Sequence, residues 1–269
     1  RSAIEDGQPF MCAVGYTDTH RPYIDAPQRI LDTYEDCAFE SIPSEEATPV
    51  HGTAVNKLSR SDAGFTEALK QFYSSVTMID EQVGRILDCL ENMQARGNTM
   101  VIYTSDHGQC MSHHGLAGKG NATTPQNFLD ENLDVPLIAC LPGSIEAGMI
   151  DNDPVDHMDT FATILEAIKA DEPDTAPRPG QSWSARATKD NNSSDPREFV
   201  FAEYGNARMA CKDLVKLIRR YPGPNGTFAD ELYDLNEDPR ETRNIIDDSR
   251  YLSSAQELDT LLEQYFSRY

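Results

Sequence analysis

The strongest periodicity in the chain runs through its second quarter. Phe65, Leu69, Phe72, Val76, Ile79, Val83, Ile86, Leu90 and Met93 recur at steps of four and three. That spacing lays them along one stripe of a helix about eight turns long. Ser61 or Asp62 can cap its start, and Gly97 is placed to end it. Three short apolar runs carry a different signal. PFMCAVGY (9–16) is continuously apolar, as a parallel strand buried on both faces would be. MVIYT (100–104) comes directly after the helix, and VPLIACL (135–141) closes at Pro142-Gly143. Helix followed by strand predicts an α/β sheet.

Polar positions divide the rest. Residues 21–60 are rich in Pro, Ser, Thr and acids and have little period, which predicts a long irregular excursion of the kind that forms active-site loops. DHMDTFATILEAI (156–168) reads as a capped amphipathic helix. Residues 171–198 cluster Pro, Asp, Asn and Ser and read as a linker or surface loop. Beyond them FVFAEY, the hairpin-like DLVKLIRRY, ELYDL and a polar turn precede a last helix over roughly 253–266. These elements predict a small α+β subdomain of antiparallel strands with a terminal helix. The expected organisation is therefore an α/β domain over 1–170, a linker or surface loop over 171–198 and the subdomain over 199–269.

The 45 acidic and 23 basic residues give a formal charge of −22. Such a surface repels nucleic acid and anionic lipid, so an anionic substrate must be held by local cations acting against the global field. No apolar run approaches the length of a membrane span. The six cysteines are widely spaced and form no C-x-x-C pair, which predicts mostly reduced, partly buried thiols rather than a zinc site or a disulfide framework.

The densest chemistry lies in YTSDHGQCMSHHGLAGKG (103–120). Asp106 and His107 stand at the carboxyl end of a predicted strand, where α/β sheets bind ligands, and His20 comes just after the end of another. A carboxylate oxygen beside an imidazole nitrogen makes half of a divalent-cation site, because a hard cation takes about six donors. Lys119 lies between Gly118 and Gly120, whose small size lets the backbone approach a ligand while the ammonium meets an anion's oxygens. Together they form equipment for hydrolysing an anionic ester. Taken singly, S-D-H-G also suits a cap and turn, His20 a loop histidine and Lys119 a solvated one. His113 and His114 suit surface or supporting positions. It is the joint occurrence that points to a site.

The whole string resembles the second metal-binding motif of the sulfatases, in the alkaline-phosphatase-like superfamily. PFMCAVGYTDTHRPYIDAP is similar to that family's strand and histidine loop. YSSVTMIDEQVGRILDCLE resembles its long helix, DVPLIACLPG its following strand and VDHMDTFATILEAI the next helix. GQSW, LVKLIRRY and ELYDLNEDPRETRNI continue the likeness in family order. The resemblance implies a partial alkaline-phosphatase-like α/β/α sandwich and a sulfuric ester hydrolase acting on a small-molecule or glycan sulfate ester. It implies that Asp106 and His107 ligate one divalent cation, calcium in most relatives, with Mn2+ or Mg2+ as alternatives. It assigns catalysis and substrate binding to Lys119 and His20, with His114 as a weaker substrate contact.

Asp-His in place of the commoner Asp-Asn is shared with phosphonate and phosphate ester hydrolases of the superfamily, so that chemistry stands as an alternative. The family's nucleophile is a formylglycine made from Cys or Ser in a C-x-P-x-R type motif. None of the six cysteines here fits, and the first pair of aspartate ligands is missing as well. The resemblance thus implies the later portion of a sulfatase, with its formylglycine on a preceding segment and a periplasmic or secreted location. As an isolated chain it could instead be catalytically silent, with a structural or binding role.

Overall fold

A computed structural model describes residues 2–23, 26–43, 52–171, 178–187 and 197–268. The long stripe folds as helix α1, Phe65–Asn92. Its start lies a little later than Ser61 or Asp62. Gly64 occupies the cap position, while the Asp62 carboxylate accepts the Ser59 amide at 2.7 Å and its carbonyl the Phe65 amide at 3.0 Å. Its end comes before Gly97, at Met93, whose amide donates to Cys89 O at 3.1 Å while the Gln94 amide donates to Glu91 O at 2.9 Å, and a 3-10 turn succeeds it over Arg96–Asn98. Phe65 and Leu69 are buried with Phe39, Ile42, Leu58 and Met111. Val76 is exposed, because no described segment covers that part of the stripe.

The apolar runs divide. MVIYT and VPLIACL become β1 (Val101–Thr104) and, later in the chain, a strand over Leu137–Cys140. They pair with each other antiparallel, Val101 opposite Cys140 and Thr104 opposite Leu137, and Ile138 is 61% exposed. Residues 9–16, expected as a buried parallel strand, are neither paired nor buried. Met11 is 81% exposed, and Phe10, Val14 and Tyr16 are exposed too. An apolar run becomes a strand only where a neighbour accepts its ladder, and no described segment does so here.

Between those strands lies a short hairpin, β2 (Cys110–Met111) and β3 (Ala117–Gly118), with Cys110 opposite Gly118. The Leu137–Cys140 strand is β4. Helix α2, His157–Ala167, starts at the expected Asp156, whose carboxylate accepts the Met158 and Asp159 amides in a capping box. GQSW docks on this helix. Gln181 N donates to Asp159 Oδ1 at 2.7 Å and Trp183 N to Thr163 Oγ1 at 3.1 Å. Arg197, buried, pairs with both Asp156 and Asp159. The greater part of the expected 171–198 linker lies outside the described residues.

The last part forms one antiparallel sheet of β5 (Phe199–Tyr204), β6 (Ala207–Lys212), β7 (Val215–Arg220) and β8 (Glu231–Asp234), in the spatial order β8-β7-β6-β5. Asp213 and Leu214 join β6 to β7 with φ of 50° and 61°, as a two-residue type I′ hairpin demands. Helix α3, Leu252–Phe266, covers one face, where Leu258 and Leu262 pack on Ala210, Leu217 and Leu232. The opposite face buries Phe128 against Met209, Ile218 and Tyr233. That second contact ties the sheet to the loops beside β2 and β3. No helix among the described residues is long and apolar enough to cross a membrane.

Candidate active site

Three loops meet around β2. Asp106 and His107 lie between β1 and β2. The β2–β3 pairing sets Cys110 opposite Gly118, so one further step in register sets Gln109 opposite Lys119. The His20 loop reaches the same strand through Tyr23, whose hydroxyl accepts Gln109 Nε2 at 3.0 Å and points to Met111 Sδ at 3.6 Å. A local reading of the chain gives Gln109 and Tyr23 no role, because only the folded register makes them neighbours.

The Asp106 carboxylate is 83% exposed. Its Oδ1 accepts the His107 amide at 3.0 Å, and its Oδ2 lies 3.4 Å from His107 Nε2. On the other side of the His107 ring, Nδ1 is 3.0 Å from Gly108 O. A carbonyl only accepts, so Nδ1 carries the hydrogen in that bond and the neutral ring leaves its Nε2 lone pair beside the carboxylate. Two electron-pair donors facing the same space suit a cation. They supply two donors of the roughly six that a hard cation takes. Among the described residues no group of three or more His, Cys, Asp or Glu could hold a metal by itself.

Lys119 is half-buried, and among the described residues its ammonium has no ion-pair partner. In a chain of charge −22 an unpaired ammonium in a fold is itself a signal. His20 is exposed at the end of a turn, with Nδ1 2.6 Å from Arg21 O. The same argument places a hydrogen on Nδ1 and leaves Nε2 for a ligand.

Around these groups stands a supporting set that the sequence pattern did not single out. His157, the first residue of α2, donates from Nε2 to Ser105 O at 2.7 Å, just before Asp106. Gly108 N donates to Asn132 O at 3.0 Å. Asn127 and Asn132, both buried, hydrogen-bond each other at 2.6 Å, and Asn127 Nδ2 also donates to Gly120 O at 3.3 Å.

His114 is buried in a left-handed conformation, φ 54°, with Nε2 3.3 Å from Glu131 Oε2. His113 Nδ1 accepts the Met111 amide at 3.3 Å. Burial would push the Glu131 carboxyl up, but the His114 hydrogen bond and charge outweigh it and hold Glu131 down at about 2. A carboxylate with a depressed folded value stabilises the fold above its unfolded value, and that contribution is lost as pH falls through the folded one. The window therefore runs from about 4.5 down to about 2. Thermal melts of wild type and Glu131→Gln over that range are expected to show a wild-type advantage at pH 5 that shrinks on acidification. An advantage independent of pH would contradict the assignment. Burial, with the Glu131 charge, pushes the neighbouring Cys110 thiol up to about 12. All six cysteines are free.

This arrangement, loops gathered beyond strand ends under an α/β framework with a C-terminal antiparallel sheet, is that of the alkaline-phosphatase-like hydrolases. The likeness extends to solved structures. A putative sulfatase from Bacteroides fragilis superposes with a TM-score of 0.76 at 21% identity, covering 99% of this chain and 56% of that one. A phosphonate monoester hydrolase of Agrobacterium radiobacter gives 0.64 at 22% identity, covering 76% and 42%.

Within that class the assignment is narrower. The sulfatase family profile matches residues 3–170, and the profile of the N-sulphoglucosamine sulphohydrolase C-terminal region matches residues 126–268. The chain belongs to the sulfatase family. It is 28% identical to the uncharacterized sulfatase YidJ of Escherichia coli over 97% of its own length and 52% of the relative's. It is 25% identical to the N-acetylglucosamine-6-O-sulfatase of Bacteroides thetaiotaomicron, over 90% and 42%. The chain thus spans about half the length of the curated relatives it matches.

Proposed function

We propose that the protein carrying this chain hydrolyses sulfate esters at the loop cluster around β2. The observation that carries this reading is the Lys119 ammonium, without an ion-pair partner among the described residues and set across the β2–β3 hairpin from the strand that succeeds Asp106 and His107. A cation with no ion-pair partner among the described residues of so acidic a chain is available to an anionic group, and an ammonium makes a compact contact with a sulfate oxygen.

Asp106 Oδ2 and His107 Nε2 would hold a divalent cation, calcium being the family expectation, together with donors from outside the described residues. When bound, the cation supplies Lewis-acid stabilisation of charge on the ester's nonbridging oxygens. Lys119 binds and orients the same group of oxygens. His20, with Nδ1 engaged by Arg21 O, keeps Nε2 for a proton at the ester oxygen and so serves the leaving group. His114, paired with Glu131, orients the turn between β2 and β3 from behind. The formylglycine nucleophile of the family reading would come from a residue outside these 269, since no C-x-P-x-R motif is among them. The substrate class is a small-molecule or glycan sulfate ester, in keeping with the N-acetylglucosamine-6-O-sulfatase relative.

The test is a turnover panel on the full-length protein with an aryl sulfate, a phosphate diester and a phosphonate monoester, before and after chelation. The expected result is highest kcat/KM for the sulfate, lowered by chelation and restored by added calcium. The reverse order would move the reading to phosphonate or phosphate esters, which the Asp-His pair and the Agrobacterium neighbour favour. No turnover of any of the three would overturn it.

A further inference from the structure

Lys216 is the second residue of β7 and is 1% exposed, an unusual place for an ammonium. Its Nζ donates to Phe128 O at 3.0 Å, to Glu241 Oε1 at 2.7 Å and to Asp130 Oδ1. All three ammonium hydrogens are thereby used. Glu241, 2% exposed, closes the ring, because its other oxygen accepts the Asp130 amide at 2.8 Å. Taking such charges out of water offsets most of what their attraction returns. The cluster is therefore better explained by what it holds in place than by stability alone.

What it holds is the span 127–132. One side of that span is fastened to the C-terminal sheet through Phe128 and Asp130. The other side grips both halves of the site. Asn127 N donates to Gly120 O at 2.9 Å, next to Lys119, and Asn132 O accepts the Gly108 amide at 3.0 Å, next to His107. The Asn132–Asn127 side-chain bond joins the two grips. A shift of the span would move Lys119 relative to Asp106 and His107.

We propose that Lys216 and Glu241 are positioning residues for the active site: acting from the C-terminal sheet through residues 127–132, they set the placement of Lys119 against the Asp106–His107 pair. Its catalytic consequence rests on the site assignment given above; its structural consequence does not.

The experiment compares wild type, Lys216→Met, Glu241→Gln and Lys119→Ala in the full-length protein. Lys212→Met serves as a control, since it breaks only the exposed Lys212–Glu257 pair on the neighbouring strand. Amide exchange without substrate is read at Gly108 and at Ala122, whose amide donates to Lys119 O at 2.7 Å. In Lys216→Met and Glu241→Gln, exchange at these two amides is expected to rise about tenfold while the β6–β7 amides keep their protection. Unchanged exchange at Gly108 and Ala122, or an equal rise throughout the sheet, overturns the proposal.

In turnover of an aryl sulfate, kcat is expected to fall about 10–100-fold with KM nearly unchanged. In the Lys119→Ala background the same substitutions are expected to add no further loss. Losses that multiply in that background overturn the route through Lys119. Glu241→Gln keeps shape and removes one charge, so it decides the matter if Lys216→Met does not fold. If wild type turns over no ester, the site assignment fails, and the exchange comparison still decides the coupling.

Discussion

Lys119→Ala is expected to lower kcat/KM for an aryl sulfate by about 10²–10³-fold in the full-length protein, the usual cost of removing one donor from developing anionic charge. The same substitution is expected to leave the melting temperature within about a degree, because no ion pair among the described residues is broken and such surface changes cost about 0.5 kcal/mol or less. That combination separates a functional cation from a structural one. Lys119→Arg is expected to recover only part of the loss, since a planar fork does not occupy the place of a compact ammonium held between two glycines. Steady-state kinetics and a thermal melt of the three proteins check it. Unchanged kinetics would return Lys119 to the solvated lysine that it would be in isolation.

Gly108→Ala is expected to damage both stability and turnover. A Cβ at that position would lie 2.2 Å from Glu131 O and 3.0 Å from Asp134 O, both backbone atoms that cannot swing aside. Relief requires the 105–109 turn to move away from residues 131–134, which breaks the Gly108–Asn132 hydrogen bond. Overpacking of this kind costs about 2–3 kcal/mol. It also displaces Asp106 and His107 from Lys119, and a misplacement near 1 Å costs about 10²-fold in rate. Gly84→Ala is the matched control. Its added Cβ meets nothing within 4 Å, and it lies inside α1, where Ala in place of Gly stabilises by about 0.5–1 kcal/mol. Equal melting temperatures for Gly108→Ala and wild type would mean that the two loops are not packed as described.

The residues that could carry chemistry were legible one loop at a time. Asp106, His107 and Lys119 show themselves as polar residues with glycines just past an apolar run, and His20 as a histidine past another. Their neighbours were not. Gln109 meets Tyr23, eighty-six positions earlier, and His157 meets Ser105, contacts that no local spacing announces. Lys216 is the sharpest case. In LVKLIRRY the period-2 alternation puts Lys216 on the face opposite Leu217, where a strand covered on one side would show it to water. The sheet is instead covered on both sides, by α3 and by the 127–132 span, so the lysine is buried and its hydrogens are claimed.

By itself, the sequence determined the features that local period and local chemistry dictate: the long helix α1, the capped start of α2, the antiparallel hairpins of the last quarter, and the identity of the polar groups in the 103–120 loop. The tertiary structure alone decided which apolar runs became strands. Residues 9–16 form an apolar run as the stretch around β4 does, yet stay unpaired, because a strand exists only where a second backbone accepts its hydrogen bonds. It alone decided, too, that the C-terminal sheet reaches the loops of the candidate site, because that contact is made by Phe128 and by Lys216, Asp130 and Glu241, three charges that only folding brings together out of water.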